Sequence, residues 1–436
     1  MSSLWCEYAW LGGAEAEAGV LVSLDGDRIS SVEPRTSARS DSQRLPGLTL
    51  PGLANSHSHA FQRALRGRTH GGSGSFWTWR EQMYALAGSI DPDGYRALAR
   101  ATFGEMALAG VTVVGEFHYL HHEQDGKPYD DPNAMGHAVL QAASEAGIRI
   151  TLIDACYLRG GFAEPLDPVQ RRFADRDADA WAARVDRLSY SHVAAAIHSV
   201  RAVDPESARA VASWTSARSV PLHAHVSEQP AENEGSLSAH GLSPTALLAS
   251  VDALSERFTA VHATHLTDVD VGLLGDAGVT CCLCPTTERD LADGIGPARR
   301  LREAGARLSV GSDSHAVIDV LEEARAIELD ERLATGVRGS HTTADLLRAA
   351  TADGYSCLGW PEGGRIAPGA LADLTTVGLD SVRLAGTDMH DAVESVVFAG
   401  TAADVRHVMV GGKFIVRDGA HVTLDVPREL AATVGR

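Results

Sequence analysis

Lysine is nearly missing from this chain of 436 residues. Lys127 and Lys413 are the only two, so 36 of the 38 basic residues are arginine. Basic charge as a whole is also short, at 38 Lys and Arg against 57 Asp and Glu, a formal net charge of -19 at pH 7. Without a broad basic field to offset phosphate charge, non-specific binding of nucleic acid or of an anionic membrane is not expected. No apolar run reaches the ~18 residues of a membrane-spanning helix. The opening MSSLWCEYAWLGG has no basic stretch ahead of an apolar core, so no secretory signal is read there. Cysteine is scarce, and the run CCLC at 281–284 has the wrong spacing for a CxxC redox or zinc pair. It reads as buried cysteine on an apolar strand of a reduced, cytoplasmic protein.

What is present is an ordinary globular balance, 44% hydrophobic and 22% charged, which excludes a disordered or collagen-like chain. The first 50 residues read as short strands, with VLVSLDGDRISSVEP forming a hairpin around its Asp-Gly turn. From about residue 90 to 350 the texture alternates. Helical stretches such as YRALARATFGEMALAG and MGHAVLQAASEAG end in glycine and feed apolar strands, VTVVGEF and IRITLIDA. Further strands are read in SHVAAAIHSV, VPLHAHVS, FTAVHATHL, VTCCLCP and LSVGSDSH. Repeated strand-then-helix units predict an α/β fold, a (β/α)8 TIM-like barrel. After residue 365 short strands return in ADLTTVGLD, ESVVFAG and VRHVMVGGKFIVRDGAH. We therefore expect residues 1–50 and 366–436 to build one small β-sandwich domain, since either half alone has too little core. Residues 51–365 would form the barrel.

Chemistry concentrates in histidine and acidic clusters at predicted strand ends. His57 and His59 lie two apart, so on a strand both rings project from one face. Such a pair alone is weak evidence. LHAHVSE, however, adds His223, His225 and Glu228; AVHATH adds His262 and His265; VGSDSH adds Asp313 and His315. Barrel enzymes carry their catalytic groups at the C-terminal strand ends. Three imidazoles and a carboxylate suit a zinc ion that keeps an open position for water, the donor set of metal-dependent hydrolysis.

These segments resemble the amidohydrolase superfamily, and within it the formimidoylglutamate deiminases (N-formimino-L-glutamate iminohydrolases) of histidine degradation. The resemblance spans nearly the whole chain. Its most specific pieces are NSHSHAFQRALRG, FWTWREQMY and GEFHYLHH; IHSVRAV, HAHVSEQ, HATH, CPTTERDL and GSDSH add to it. It implies a (β/α)8 barrel with a β domain built from both termini, and zinc ligands His57, His59, His225 and Asp313. It also implies His262 beside the attacking water, and Glu228 as the proton-handling carboxylate at the leaving nitrogen. Gln62, Arg80, Tyr119, His198 and Arg201 would bind substrate. His223 falls outside the ligand set, as a support to it or as packing. A homodimer is expected from the superfamily's habit.

Two-metal members of that superfamily bridge their ions with a carboxylated lysine at a barrel strand end. Lys127 lies in the polar loop EQDGKPYDD and Lys413 in the C-terminal β segment, so one Zn2+ per chain is expected. Asp313 is the best placed group to take the water's proton, and Glu228 to pass one to nitrogen leaving as ammonia. His262 would orient the attack, a kind of help worth ~3–4 kcal/mol per well-placed donor. The product would be N-formyl-L-glutamate.

A small-molecule dicarboxylate needs local donors in so acidic a protein, and planar guanidinium groups suit carboxylates. Arg80 and Arg201 stand inside motifs that adjoin strand-end clusters; Arg63 and Arg66 do not, and read as solvated. Phe76, Trp77, Trp79 and Tyr84 follow the Gly/Ser-rich GGSGS, as a cap over the barrel mouth, a packing anchor or a subunit contact. His70, His121 and His122 read as loop or surface histidines. Glu288 and Arg289 sit at another strand end, where a pocket role is open. The competing readings are a one-zinc deaminase of a purine, pyrimidine or pterin ring, and a non-catalytic metal-binding scaffold.

Overall fold

The computed structural model of the protein describes residues 2–69 and 76–434, the Trp77 side chain excepted, so His70 and the GGSGS segment lie outside the described residues. Two sheets of eight strands each organise the described residues. The chain begins with β1 (Ser2–Ala9), β2 (Glu17–Asp25), β3 (Arg28–Glu33) and β4 (Gln43–Pro51). β2 and β3 form the expected hairpin, Asp25 opposite Arg28. Gly26 at the turn has φ 61°, a left-handed conformation that costs glycine nothing.

One residue after β4 the chain enters the barrel with β5 (Leu53–Ser58), followed by β6 (Val111–His118), β7 (Arg149–Cys156) and β8 (Val193–Ile197). β9 (Leu222–Val226), β10 (Phe258–His262), β11 (Thr280–Leu283) and β12 (Arg307–Val310) complete it. Neighbours pair in chain order from β5 to β12, each pair parallel. Helices fill the connections, which leaves both faces of these strands covered. β6, VTVVGEFH, is accordingly buried at every position, and its apolar run does not alternate. Two of these helices, α1 (Phe76–Ala87) and α2 (Pro92–Leu108), lie between β5 and β6. Asp91 caps α2 by accepting from Gly94 N at 2.7 Å, with Pro92 in the first turn, the combination that suits a helix start.

The ring closes where β12 meets β5. Asp313 N donates to His57 O at 3.0 Å, and His59 N donates to Asp313 O at 3.2 Å. Only glycine fits at 311 in this seam, because a Cβ there would stand 2.7 Å from His57 Cβ and 2.8 Å from its carbonyl oxygen. The contact that closes the barrel therefore also sets how far His57 stands from Asp313.

After the barrel, β13 (Leu374–Val377), β14 (Val405–Val410), β15 (Lys413–Arg417) and β16 (Ala420–His421) return to the first sheet. Its order is β16-β15-β14-β13-β4-β1-β2-β3, and β13 runs antiparallel to β4 with Leu374 opposite Pro51. Leu4, Cys6, Val22 and Leu45 from one end pack with Ile366, Leu374 and Met409 from the other. The fold class is thus an eight-stranded parallel barrel with a separate sheet drawn from both termini. One element departs from expectation: ESVVFAG is not a strand but part of the helix Ala392–Ala399. Val393, Val396 and Val397 fall on its buried face, and packing at helical spacing overrides the β preference of valine. All six cysteines are free and buried, as expected.

Candidate metal and catalytic centre

The strand-end clusters converge on one mouth of the barrel. His57 is in β5 and His59 follows it; His225 is in β9, His262 ends β10, and Asp313 lies past β12. Asp313 Oδ1 is 3.4 Å from His57 Nε2 and 3.5 Å from His59 Nε2. His225 Nε2 is 3.2 Å from His57 Nε2. The four expected ligands fall into two overlapping groups, His57 with His59 and Asp313, and His57 with His225, the latter joined by His262, which is expected beside the attacking water; within each group the ligand atoms lie within 4.8 Å of one another. Backbone strain accompanies the convergence. His262 (φ 68°), Asp313 (φ 43°), Ser227 (φ 53°) and His315 (φ 59°) are all left-handed without being glycine, which costs of order 1–3 kcal/mol each and clusters at functional sites.

The donor chemistry fits a divalent cation. His59 Nδ1 donates to Phe117 O at 2.9 Å and His225 Nδ1 to His198 O at 2.9 Å, so each ring turns an unprotonated Nε2 inward. Burial holds His57 and His59 well below the usual histidine range and takes His225 down to about 3. Neutral nitrogen lone pairs thus face one another and a carboxylate, an arrangement that a cation reconciles.

Glu116, a residue that sequence reasoning passed over, fixes this corner. Ser58 Oγ donates to its Oε2 at 2.5 Å, Ala60 N to Oε1 at 2.8 Å, and the Tyr95 hydroxyl to Oε1 at 3.3 Å. The carboxyl so holds the residues on either side of His59. Burial, partly offset by these bonds, pushes Glu116 up to about 8.

Close by stand His262, expected to orient the attacking water, and Glu228, expected with Asp313 to move protons. His262 Nε2 is 3.7 Å from Glu228 Oε1 and 3.9 Å from Asp313 Oδ2. Burial raises Glu228 above its ordinary value against the pull of His262. Burial opposes the charge of His262, but Glu228, Glu288 and Asp313 outweigh it and lift that ring well above the usual range.

The adjoining pocket is lined by Glu228, His262 and Asp313, and by all five expected substrate residues, Gln62, Arg80, Tyr119, His198 and Arg201. Gln62 Nε2 donates to the Tyr119 hydroxyl at 3.1 Å, and Arg80 lies 5.4 Å from the Tyr84 ring centre. Arg201 stays charged: burial works against it, but Glu232 and Glu228 outweigh that and raise it. α1 supplies one wall through Phe76, Trp79, Arg80, Met83 and Tyr84. These positions follow helical spacing, a signal present in FWTWREQMY, and they make this segment a wall of the pocket. Tyr157 and Phe173 also line it. Tyr157 follows the end of β7, where strand-end logic points; Phe173 carries no sequence signal.

Several expectations need correction. His121 and His122 lie in a loop, as expected, but are buried rather than on the surface. His121 Nε2 contacts Ala155 O at 3.0 Å, and His122 faces Asp175 at 3.5 Å. Their loop covers a buried ionic network in which Arg184 pairs with Asp154 and Asp175, each at 2.8 Å. His118, His121 and Asp154 also converge, but Arg184 and Trp181 already occupy both Asp154 oxygens, so that group is structural. Arg63 is likewise buried, bonded to Glu105 at 2.9 Å through Nε and also to His315 O, because it ties the turn after β5 to α2 and to the loop after Asp313. Arg66 is exposed, as expected. His223 packs in the core with Nε2 3.3 Å from Cys357 O. His265 contacts Asp293 O at 2.7 Å, and His315 bridges Ser58 and Ser312. Glu288 lies behind His262, outside the pocket lining, and Arg289 pairs with Glu322 and Asp330 toward solvent. Lys127 pairs with Asp125 in an exposed loop and Lys413 opens β15; neither reaches the barrel mouth.

Residues 48–415 match the family described as Amidohydrolase family. The chain is 36% identical to formimidoylglutamate deiminase of Pseudomonas aeruginosa, covering 97% of this chain and 96% of the relative. It is 30% identical to 8-oxoguanine deaminase of the same organism, over 98% and 93%. Among solved structures, an amidohydrolase from Brucella melitensis superposes with a TM-score of 0.92 at 31% identity, covering 100% of this chain and 99% of that one. Atrazine chlorohydrolase from Arthrobacter aurescens, complexed with zinc, gives 0.88 at 25% identity, covering 100% and 99%.

Proposed function

Because the chain belongs to the amidohydrolase family, hydrolases of carbon–nitrogen bonds, we propose that it hydrolyses N-formimino-L-glutamate to N-formyl-L-glutamate and ammonia. His57, His59, His225 and Asp313 would hold one zinc ion. Zinc lowers the pKa of a water molecule to near 7 and so makes hydroxide available at neutral pH. Asp313 accepts the proton of the attacking water as its oxygen bonds to the formimino carbon. His262 orients the oxygen and stabilises the charge that develops on the tetrahedral centre. Glu228 takes up that proton from Asp313 and donates it to the former imino nitrogen, which becomes an amine. The proton left on the attacking oxygen then passes by the same two carboxylates to that amine, the carbon–nitrogen bond breaks, and ammonia leaves as the formyl carbonyl forms.

One observation carries the choice of substrate: Arg80 and Arg201 line the same pocket as Glu228, His262 and Asp313. Two guanidinium groups beside a hydrolytic centre suit a dicarboxylate. The six aromatic residues in the same lining favour a second reading, deamination of a neutral heterocycle stacked among them. An ammonia-release assay separates the two. N-formimino-L-glutamate is expected to show kcat/KM at least about 100-fold above guanine, cytosine and adenosine; preference for a neutral ring would select the second reading.

The anion clamp makes its own prediction. A hydrogen bond to a charged group is worth about 1.5–3 kcal/mol, so Arg201→Met should raise KM roughly 10- to 100-fold, with a smaller change in kcat. Steady-state kinetics on N-formimino-L-glutamate check this. An unchanged KM would remove Arg201 from substrate binding.

A further inference from the structure

Glu288 is a buried carboxyl that the reaction above does not use. It lies on the short helix Pro285–Asp290 after β11, away from the pocket surface. Its Oε1 accepts from Cys284 N at 2.9 Å and lies 3.3 Å from His262 Nδ1. The other nitrogen of the same ring, Nε2, faces Glu228 and Asp313. His262 thus spans two acidic surroundings, with its back on Glu288 and its front on the reacting groups.

We infer that Glu288 is a positioning residue for His262: it accepts the Nδ1 proton, fixes the ring plane, and so aims Nε2 at the attacking oxygen. The inference rests on the deiminase reading above. Three features support it. The Cys284 backbone bond holds Oε1 in place, so the acceptor is set before any substrate arrives. Both partners are buried, which keeps water from competing for the Nδ1 proton. The left-handed backbone of His262 (φ 68°) fixes the origin of the side chain, and a second anchor at Nδ1 leaves the ring little freedom. A histidine whose far nitrogen is held by a carboxylate is locked in both tautomer and direction.

The test uses two variants, each assayed at full zinc loading. Glu288→Gln keeps a neutral acceptor and is expected to lower kcat about 10-fold, and Glu288→Ala about 100-fold. KM and zinc content should stay within about twofold of wild type in both. Nitrogen NMR of 15N-histidine-labelled enzyme, with the His262 signal assigned through His262→Asn, should show a proton on Nδ1 in wild type and its redistribution in Glu288→Ala. The inference is overturned if Nδ1 carries no proton in the wild-type enzyme. It is equally overturned if both folded variants keep kcat within about twofold of wild type, or if their loss of kcat follows loss of zinc. If the wild-type enzyme releases no ammonia from N-formimino-L-glutamate, the proposed function fails instead, and the NMR measurement still judges the dyad.

Discussion

Asp313→Asn, and separately Glu228→Gln, should lower ammonia release from N-formimino-L-glutamate by about 1,000-fold or more while leaving the barrel folded. General acid–base groups contribute typically 10²–10⁴-fold, and Asp313, 3.4 and 3.5 Å from two imidazoles, would add the electrostatic part of a metal ligand. The substitution is clean at this position. The bonds that close the barrel come from the Asp313 main chain, N to His57 O and O from His59 N, so asparagine keeps them while it loses the proton acceptor and the negative charge offered to the metal. Glu228→Gln likewise keeps volume and removes the transferable proton. Ammonia release measured beside circular dichroism and thermal unfolding separates chemistry from folding. Either variant keeping more than a tenth of wild-type activity while folded would refute the roles given to these two residues.

Removing the metal should have an effect as large. Chelation is expected to abolish turnover, by at least about 1,000-fold, and one equivalent of zinc per chain to restore it. The reason lies in the protonation of the site. His57 and His59 are held well below the histidine range by burial, and His225 near 3, so at neutral pH all three rings are unprotonated and ready to bind. Without a cation their lone pairs face one another at close range, and the chelated protein should also melt at a lower temperature. Metal analysis with a zinc-titrated activity assay reads both. Recovery that needs two equivalents would overturn the argument from lysine, which is absent from every barrel strand and found only at positions 127 and 413.

The barrel strands were legible because parallel strands covered on both faces write continuous apolar runs, and because four of them run into titratable clusters. The same clustering marked the candidate centre: His57, His59, His225, His262, Asp313 and Glu228 each lie in the last two residues of a strand or just beyond it. What escaped was what depends on tertiary partners. Glu116 sits inside an apolar strand with nothing nearby in sequence to show that it reaches Ser58 and Ala60. His121 and His122 lie in a loop, as expected, but their burial escaped because Arg184, which organises their surroundings, lies on a helix far along the chain. The valines of residues 392–399 have a strand's composition, and only the surface they pack against makes them a helix. α1 is the intermediate case. Its pocket face is written at helical spacing, but nothing in the sequence says what that face meets.

The terminal sheet bears on how the chain is made. β4 is synthesised early, yet its partner β13 emerges from the ribosome only after all eight barrel strands have been translated. Through that interval the hydrogen-bonding edge of β4 that β13 will cover has no native partner. Unpaired edges recruit neighbouring chains, so the nascent protein is open to mispairing for most of its synthesis, until β13 arrives to close the sheet.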